Sequence, residues 1–138
     1  MKIYIGSDHA GYELKEKIKE KFGTLNLIDC GCYSKDSVDY PDIAENVCNK
    51  IINDKSLGIL ICGTGIGISI AANKFNNIRC ALIHNSFTSS MAKKHNNANV
   101  IALGAKIIDE TEAYKIINIF LNTDFEGGRH ITRLNKLK

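Results

Sequence analysis

Three stretches of this chain are apolar almost without interruption: LGILIC at 57–62, IRCALI at 78–83 and NVIALG at 99–104. A strand with one wet face alternates apolar and polar side chains. Continuous apolar runs instead mark strands covered on both faces, as in a parallel sheet. Parallel neighbours need long crossovers, usually helices, and the intervening sequence supplies them. Residues 12–22 place Leu14, Ile18 and Phe22 at i, i+4, i+8, the pattern of an amphipathic helix. Residues 41–53 open on Pro41, suited to a first helical turn, and carry Ile43, Val47 and Ile51 on one face. Further helical segments are expected at 66–75, 86–94 and 109–121, with a last one from about residue 128. The β-branched run at 2–6 and LNLID at 25–29 bring the strands to five. Strand–helix alternation of this kind predicts an α/β fold: a doubly wound, three-layer α/β/α sandwich with a five-stranded parallel sheet and a C-terminal helix. At 138 residues, with neither linker nor repeat, one domain over 1–138 is expected.

Bulk properties narrow the partners. A net charge of +3 with scattered lysines argues against nucleic acid. No run approaches the roughly 20 apolar residues of a membrane helix, and the start of the chain does not read as a signal peptide. Five cysteines, an odd number, favour reduced thiols and a cytoplasmic location. Cys30 and Cys32 are too closely spaced for a zinc pair and no second pair matches them, so no metal is expected. Cys30, Cys48 and Cys80 read as small apolar residues.

In doubly wound sheets, ligands sit beyond the carboxyl ends of the strands. After the first strand come Ser7, Asp8 and His9; after the third, Cys62 to Gly65; after the fourth, His84 and Asn85; just before the fifth, His95 and Asn96. These groups are expected to gather at one edge. The segment CGTGIGIS, 62–69, fits neither the dinucleotide fingerprint G-x-G-x-x-G nor a P-loop, because the last glycine and the Gly-Lys pair are missing. It still suits an anion at a helix start. The same geometry stabilises a thiolate at Cys62, and the loop amides with the Thr64 hydroxyl can hold an oxyanion. A thiolate beside such a pocket can abstract a proton next to a carbonyl or attack the carbonyl. The competing reading is a buried strand cysteine before a tight turn. Each other candidate also has a plainer role. Asp8 is either a helix cap or a ligand for sugar hydroxyls, with His9 a surface group or a phosphate contact. His95 is a solvated side chain or a general acid/base. Arg129 and Arg133, at i and i+4, are a solvated basic helix end or a phosphate clamp.

Five segments together resemble the ribose-5-phosphate isomerase B family and its relatives, the galactose-6-phosphate isomerase subunits: GSDHAGYELK (6–15), DYPDIA (39–44), GILICGTGIGISIAANK (58–74), HNNANVIALG (95–104) and EGGRH (126–130). The resemblance implies a Rossmann-like fold and an aldose–ketose isomerase of the pentose phosphate pathway, interconverting ribose 5-phosphate and ribulose 5-phosphate without metal or cofactor. It implies that Cys62 is the base and that Gly63, Thr64, Gly65, Ile66 and Gly67 form the anion-hole loop. It further implies that His95 opens the furanose ring, and that Asp8, His9, Asn96, Arg129 and Arg133 contact substrate. The family forms homodimers with shared sites, so His95 and the arginines are expected from the partner chain; a tetramer is the alternative. Lys106 stands where several members carry an arginine, which keeps the charge in the phosphate pocket but loses the bidentate fork. Some members use a carboxylate base; around Ile70 this chain offers none, which leaves Cys62. A six-carbon sugar phosphate, allose or galactose 6-phosphate, is the alternative substrate. A non-catalytic sugar-phosphate sensor on the same fold is the rival from another class.

Overall fold

Each expected strand is present in the computed structural model, which describes residues 1–137; Lys138, the last residue of the expected domain, lies outside the described residues. The elements are β1 (Ile3–Ser7), α1 (Tyr12–Lys21), β2 (Leu27–Asp29), α2 (Tyr40–Asp54), β3 (Leu57–Cys62), α3 (Ile66–Ala72), β4 (Cys80–Leu82), α4 (Ser86–Asn96), β5 (Val100–Gly104), α5 (Glu110–Asn122) and α6 (Arg129–Asn135), with one 3-10 turn at His9–Gly11. All strand pairs are parallel, in the order β2-β1-β3-β5-β4.

Alternation within the apolar runs sorts side chains into two cores. Ile3, Ile5, Ile59, Ile61, Ile101 and Leu103 pack with α1, α4 and α5. Tyr4, Leu60, Cys62, Val100 and Ala102 pack with α2 and α3. Both faces of the central strands are therefore dry, as continuous apolar runs require. Burying each such aliphatic side chain is worth about 1.5–3 kcal/mol.

Local chemistry sets the helix boundaries. Asp109 caps α5, its Oδ1 accepting from the Glu112 amide at 2.8 Å, and Asn85 caps α4 through Thr88 N at 2.9 Å. Helix α4 ends at Asn97, in the left-handed region at φ 44°. The edge strands β2 and β4 are three residues each, shorter than the sequence suggests, since each has a single partner. Beside β4, Asn73 acts as a substitute strand: its amide accepts from Cys80 N at 2.8 Å and donates to Cys80 O at 2.9 Å. This clasp accounts for α3 ending at Ala72 rather than at 75.

The direction in which successive strands are added to the sheet reverses between β1 and β3. From β1 the chain goes outward to β2, then returns to add β3 on the other side. The carboxyl ends of β1 and β3 thus flank the crevice where such folds bind ligands.

Candidate active site

The β1–β3 crevice is built by two loops. After β1, the Asp8 amide donates to Ile61 O at 3.1 Å, and its carboxylate accepts from Gly11 N at 3.1 Å, capping the 3-10 turn. Asp8 is buried, and His9 beside it is exposed, its Nδ1 accepting from Val38 N at 3.3 Å. The capping role of Asp8 is real, and it fixes the carboxylate beside the crevice.

After β3, Cys62 is 5% exposed. Its Sγ accepts from the Gly65 amide at 3.2 Å. Gly65 has φ +80°, and a Cβ there would lie 3.0 Å from Leu103 C and 3.2 Å from Gly104 N. Only glycine takes this conformation readily against a backbone wall. The Thr64 hydroxyl accepts from Ile66 N at 3.2 Å, leaving its own proton free to donate outward. Ile66 and Gly67 begin α3, with the Tyr40 ring packed directly over Gly67. The loop is zipped to the segment after β5, where Ala105 N donates to Cys62 O and Lys106 N to Gly63 O, each at 2.9 Å. The aliphatic part of Lys106 runs past Gly63, within about 3.7 Å of where a Cβ would sit. One edge of the sheet therefore brings together Asp8, His9, Cys62, Gly63, Thr64, Gly65, Ile66, Gly67 and Lys106.

His95 and Asn96 are not there, which corrects the expectation that all these groups gather at one edge. Helix α4 starts beyond the carboxyl end of β4 and runs back, so His95 in its last turn lies by the amino ends. Asn99 O accepts from Gly58 N at the start of β3, and the Arg79 guanidinium bonds Asn96 O and Asn97 O. From Gly58 to Cys62 the strand spans about 13 Å. Within one chain, Cys62 and His95 do not meet.

At this amino edge His95 has its own company. Its ring stacks on His130 with centroids 4.3 Å apart and planes 16° apart. One Glu126 carboxylate oxygen lies 3.8 Å from His95 Nε2 and 3.6 Å from His130 Nε2. Arg133 lines the same cavity, of about 280 Å³, with Asn96, Leu134 and Leu137. Arg129 and Arg133 are exposed and, among the described residues, have no ion-pair partner. Burial, followed by the nearby His95 and Arg129, pushes the His130 imidazole below its ordinary value against the pull of Glu126. The two imidazoles and the carboxylate are the right donor types for a metal. Stacked rings, however, cannot both aim in-plane lone pairs at one ion, so the observed pose is not a coordination geometry.

Three of the other thiols are held above their ordinary value. Burial pushes Cys48 up to about 12, and raises Cys80 and Cys30 as well, the neighbouring Cys48 and Asp29 adding to burial in turn. Sequence reasoning passed over Tyr40, Glu126 and His130. Only His130 had a signal, one helical turn before Arg133 on α6; Glu126 precedes that helix across Gly127 and Gly128, both at positive φ.

Residues 3–137 match the family model described as Ribose/Galactose Isomerase. The chain belongs to this family. A Rickettsia conorii protein, for which sugar phosphate isomerase is the expected activity, is 51% identical over 141 residues, covering 99% of this chain and 96% of its own. The crystal structure of a ribose 5-phosphate isomerase from Thermotoga maritima superimposes with a TM-score of 0.96 at 45% identity, covering 99% of this chain and 96% of that one. Ribose-5-phosphate isomerase B of Mycoplasma genitalium, solved with bound ribulose-5-phosphate, gives 0.92 at 44% identity, covering 98% and 92%. The Rossmann-like α/β architecture implied by the motifs is the observed one.

Proposed function

We propose that the chain is a ribose-5-phosphate isomerase, interconverting ribose 5-phosphate and ribulose 5-phosphate through an enediolate. The observation that carries this reading is the Cys62 thiol, held at the β1–β3 crevice with the Gly65 amide donated onto its sulfur. Cys62 as thiolate takes the proton from C2 of the open-chain aldose and returns it to C1. Charge develops on the substrate oxygens, where the Thr64 hydroxyl and the Gly67 amide, in the first turn of α3, can donate. Asp8 accepts from sugar hydroxyls. Lys106 and His9 lie at the same edge, toward the phosphate. Only protons move between substrate and product, so no cofactor enters the reading.

Ring opening requires a group that takes a proton from the anomeric hydroxyl and gives one to the ring oxygen. His95 is assigned this work, with Asn96, Arg129 and Arg133 on the substrate. The separation along β3 supports a site completed by a second copy: Cys62 of one chain faces His95 and the arginines of the other. The functional unit is then a homodimer, and a tetramer would be a pair of these. The free cysteines support a cytoplasmic enzyme.

The test is a coupled assay of the purified chain on ribose 5-phosphate, allose 6-phosphate and galactose 6-phosphate in EDTA, with Cys62→Ala in parallel. Ribose 5-phosphate should give the highest kcat/KM. C62A should lose at least about 10²–10⁴-fold while still binding substrate. Retained turnover in C62A sinks the base assignment. Binding without turnover in the unaltered chain favours the sensor.

A further inference from the structure

His95 is 38% exposed at its side chain and lies in the last turn of α4. No hydrogen bond to a described residue holds its ring; a half-exposed imidazole without such a bond has several rotamers open to it. What limits it is His130, whose ring lies parallel beneath it at 4.3 Å. His130 is itself buried, 5% exposed at the start of α6, and its Nε2 has no hydrogen-bond partner among the described residues. The nearest acceptor is the Glu126 carboxylate at 3.6 Å, the same oxygen that faces His95 at 3.8 Å. Glu126 is in turn anchored beside His95, its amide donating to Lys94 O at 3.1 Å.

We propose that His130 is a positioning residue: its ring, stacked on His95, holds that imidazole in the pose from which it opens the sugar ring, while Glu126 faces the charge His95 carries in transit. This rests on the reading that His95 opens the ring. The chemistry suits it. His95 takes the anomeric proton and becomes cationic until it passes a proton to the ring oxygen, so no net atom is gained. Arg129 and Arg133 on α6 bring positive charge to the same cluster, and Lys94 precedes His95 on α4. Glu126 is the group of opposite sign, its carboxylate facing both rings.

Two readouts separate ring opening from proton transfer. Ribose 5-phosphate is cyclic and needs both. Ribulose 5-phosphate has no ring, so exchange of its C1 proton with solvent deuterium needs only the Cys62 step. His130→Ala should lower kcat on ribose 5-phosphate about 10–100-fold, the order expected for a misplaced catalytic group, and leave exchange within about twofold. His130→Phe restores the stack and should recover most of the turnover. Glu126→Gln should fall between wild type and H130A on the cyclic substrate only. Equal losses in both assays, unaltered turnover in H130A, or H130F as poor as H130A overturns the proposal. His95→Asn is the control. If it fails to separate the assays, the ring-opening reading falls, and positioning is then judged by NMR of the His95 ring: one ordered conformer in wild type and H130F, averaging in H130A. Identical spectra in all three would end it.

Discussion

Replacing Gly65 by alanine tests whether the loop geometry is what makes Cys62 useful. The perturbation has two parts. At φ +80° an L-residue costs about 1–2 kcal/mol from the left-handed conformation alone. The added Cβ would also sit 2.6 Å from Leu82 Cδ1, 3.0 Å from Leu103 C and 3.2 Å from Gly104 N. The leucine methyl can rotate away. The two backbone atoms belong to the end of β5, paired to β3 through Cys62 and Gly104, and cannot. Overpacking of this kind costs about 1–3 kcal/mol. A total of about 3 kcal/mol lowers Tm by roughly 10 °C for a domain this size. The more telling effect is on turnover. If the loop relieves the clash by moving outward, the Gly65 amide leaves the Cys62 sulfur, and loss of one such donor costs about 10²–10³-fold in kcat. The assay is kcat at 25 °C, well below the lowered Tm, with thermal unfolding in parallel. A variant that is destabilised but fully active would show that the Gly65–Cys62 bond is not needed for the base. One with unaltered Tm would show that the wall behind Gly65 yields freely.

Mixing C62A with H95N tests the shared site. Neither variant alone turns over ribose 5-phosphate well, but exchange of subunits should make hybrids with one intact site each and restore about a quarter of wild-type activity; no recovery after confirmed exchange would place both groups in one chain's site. Asp29 holds the fully buried Lys15 at 2.5 Å and Lys19 at 2.8 Å. Asp29→Asn leaves the buried Lys15 charge with only the half-exposed Glu16 at 3.3 Å and should cost about 3 kcal/mol by urea unfolding; a change under 1 kcal/mol would mean Glu16 or water carries the lysine charge alone. Burial works to raise the Asp29 carboxyl, but bonds from Lys15, Lys19 and the Gly31 amide outweigh it and hold it below the usual range. A depressed folded value means stability present above the unfolded value near 3.9 and lost as pH falls through the folded one. Wild type should therefore lose stability more steeply than D29N in that acid window, and parallel curves would refute the linkage.

Much was legible in the sequence because the governing physics is local. Continuous apolar runs imply a sheet covered on both sides, and helical spacing of Leu14, Ile18 and Phe22 implies the covering. A cysteine followed by glycines at a strand end implies backbone amides turned toward sulfur. Each of these depends on residues a few positions apart. The family motifs span the chain for the same reason, as unbroken local segments.

Tertiary structure decided the rest. His95 precedes a strand and Cys62 follows one, so in a parallel sheet they fall at opposite edges, however close both are to polar loops. The His95–His130 stack joins residues 35 positions apart, and Tyr40 covers Gly67 across the whole of α2 and β3. Such contacts depend on the strand order β2-β1-β3-β5-β4 and on the return direction of each helix. Side-chain periodicity says which residues are buried together with their own neighbours. It carries no term for which distant element lies on the other side.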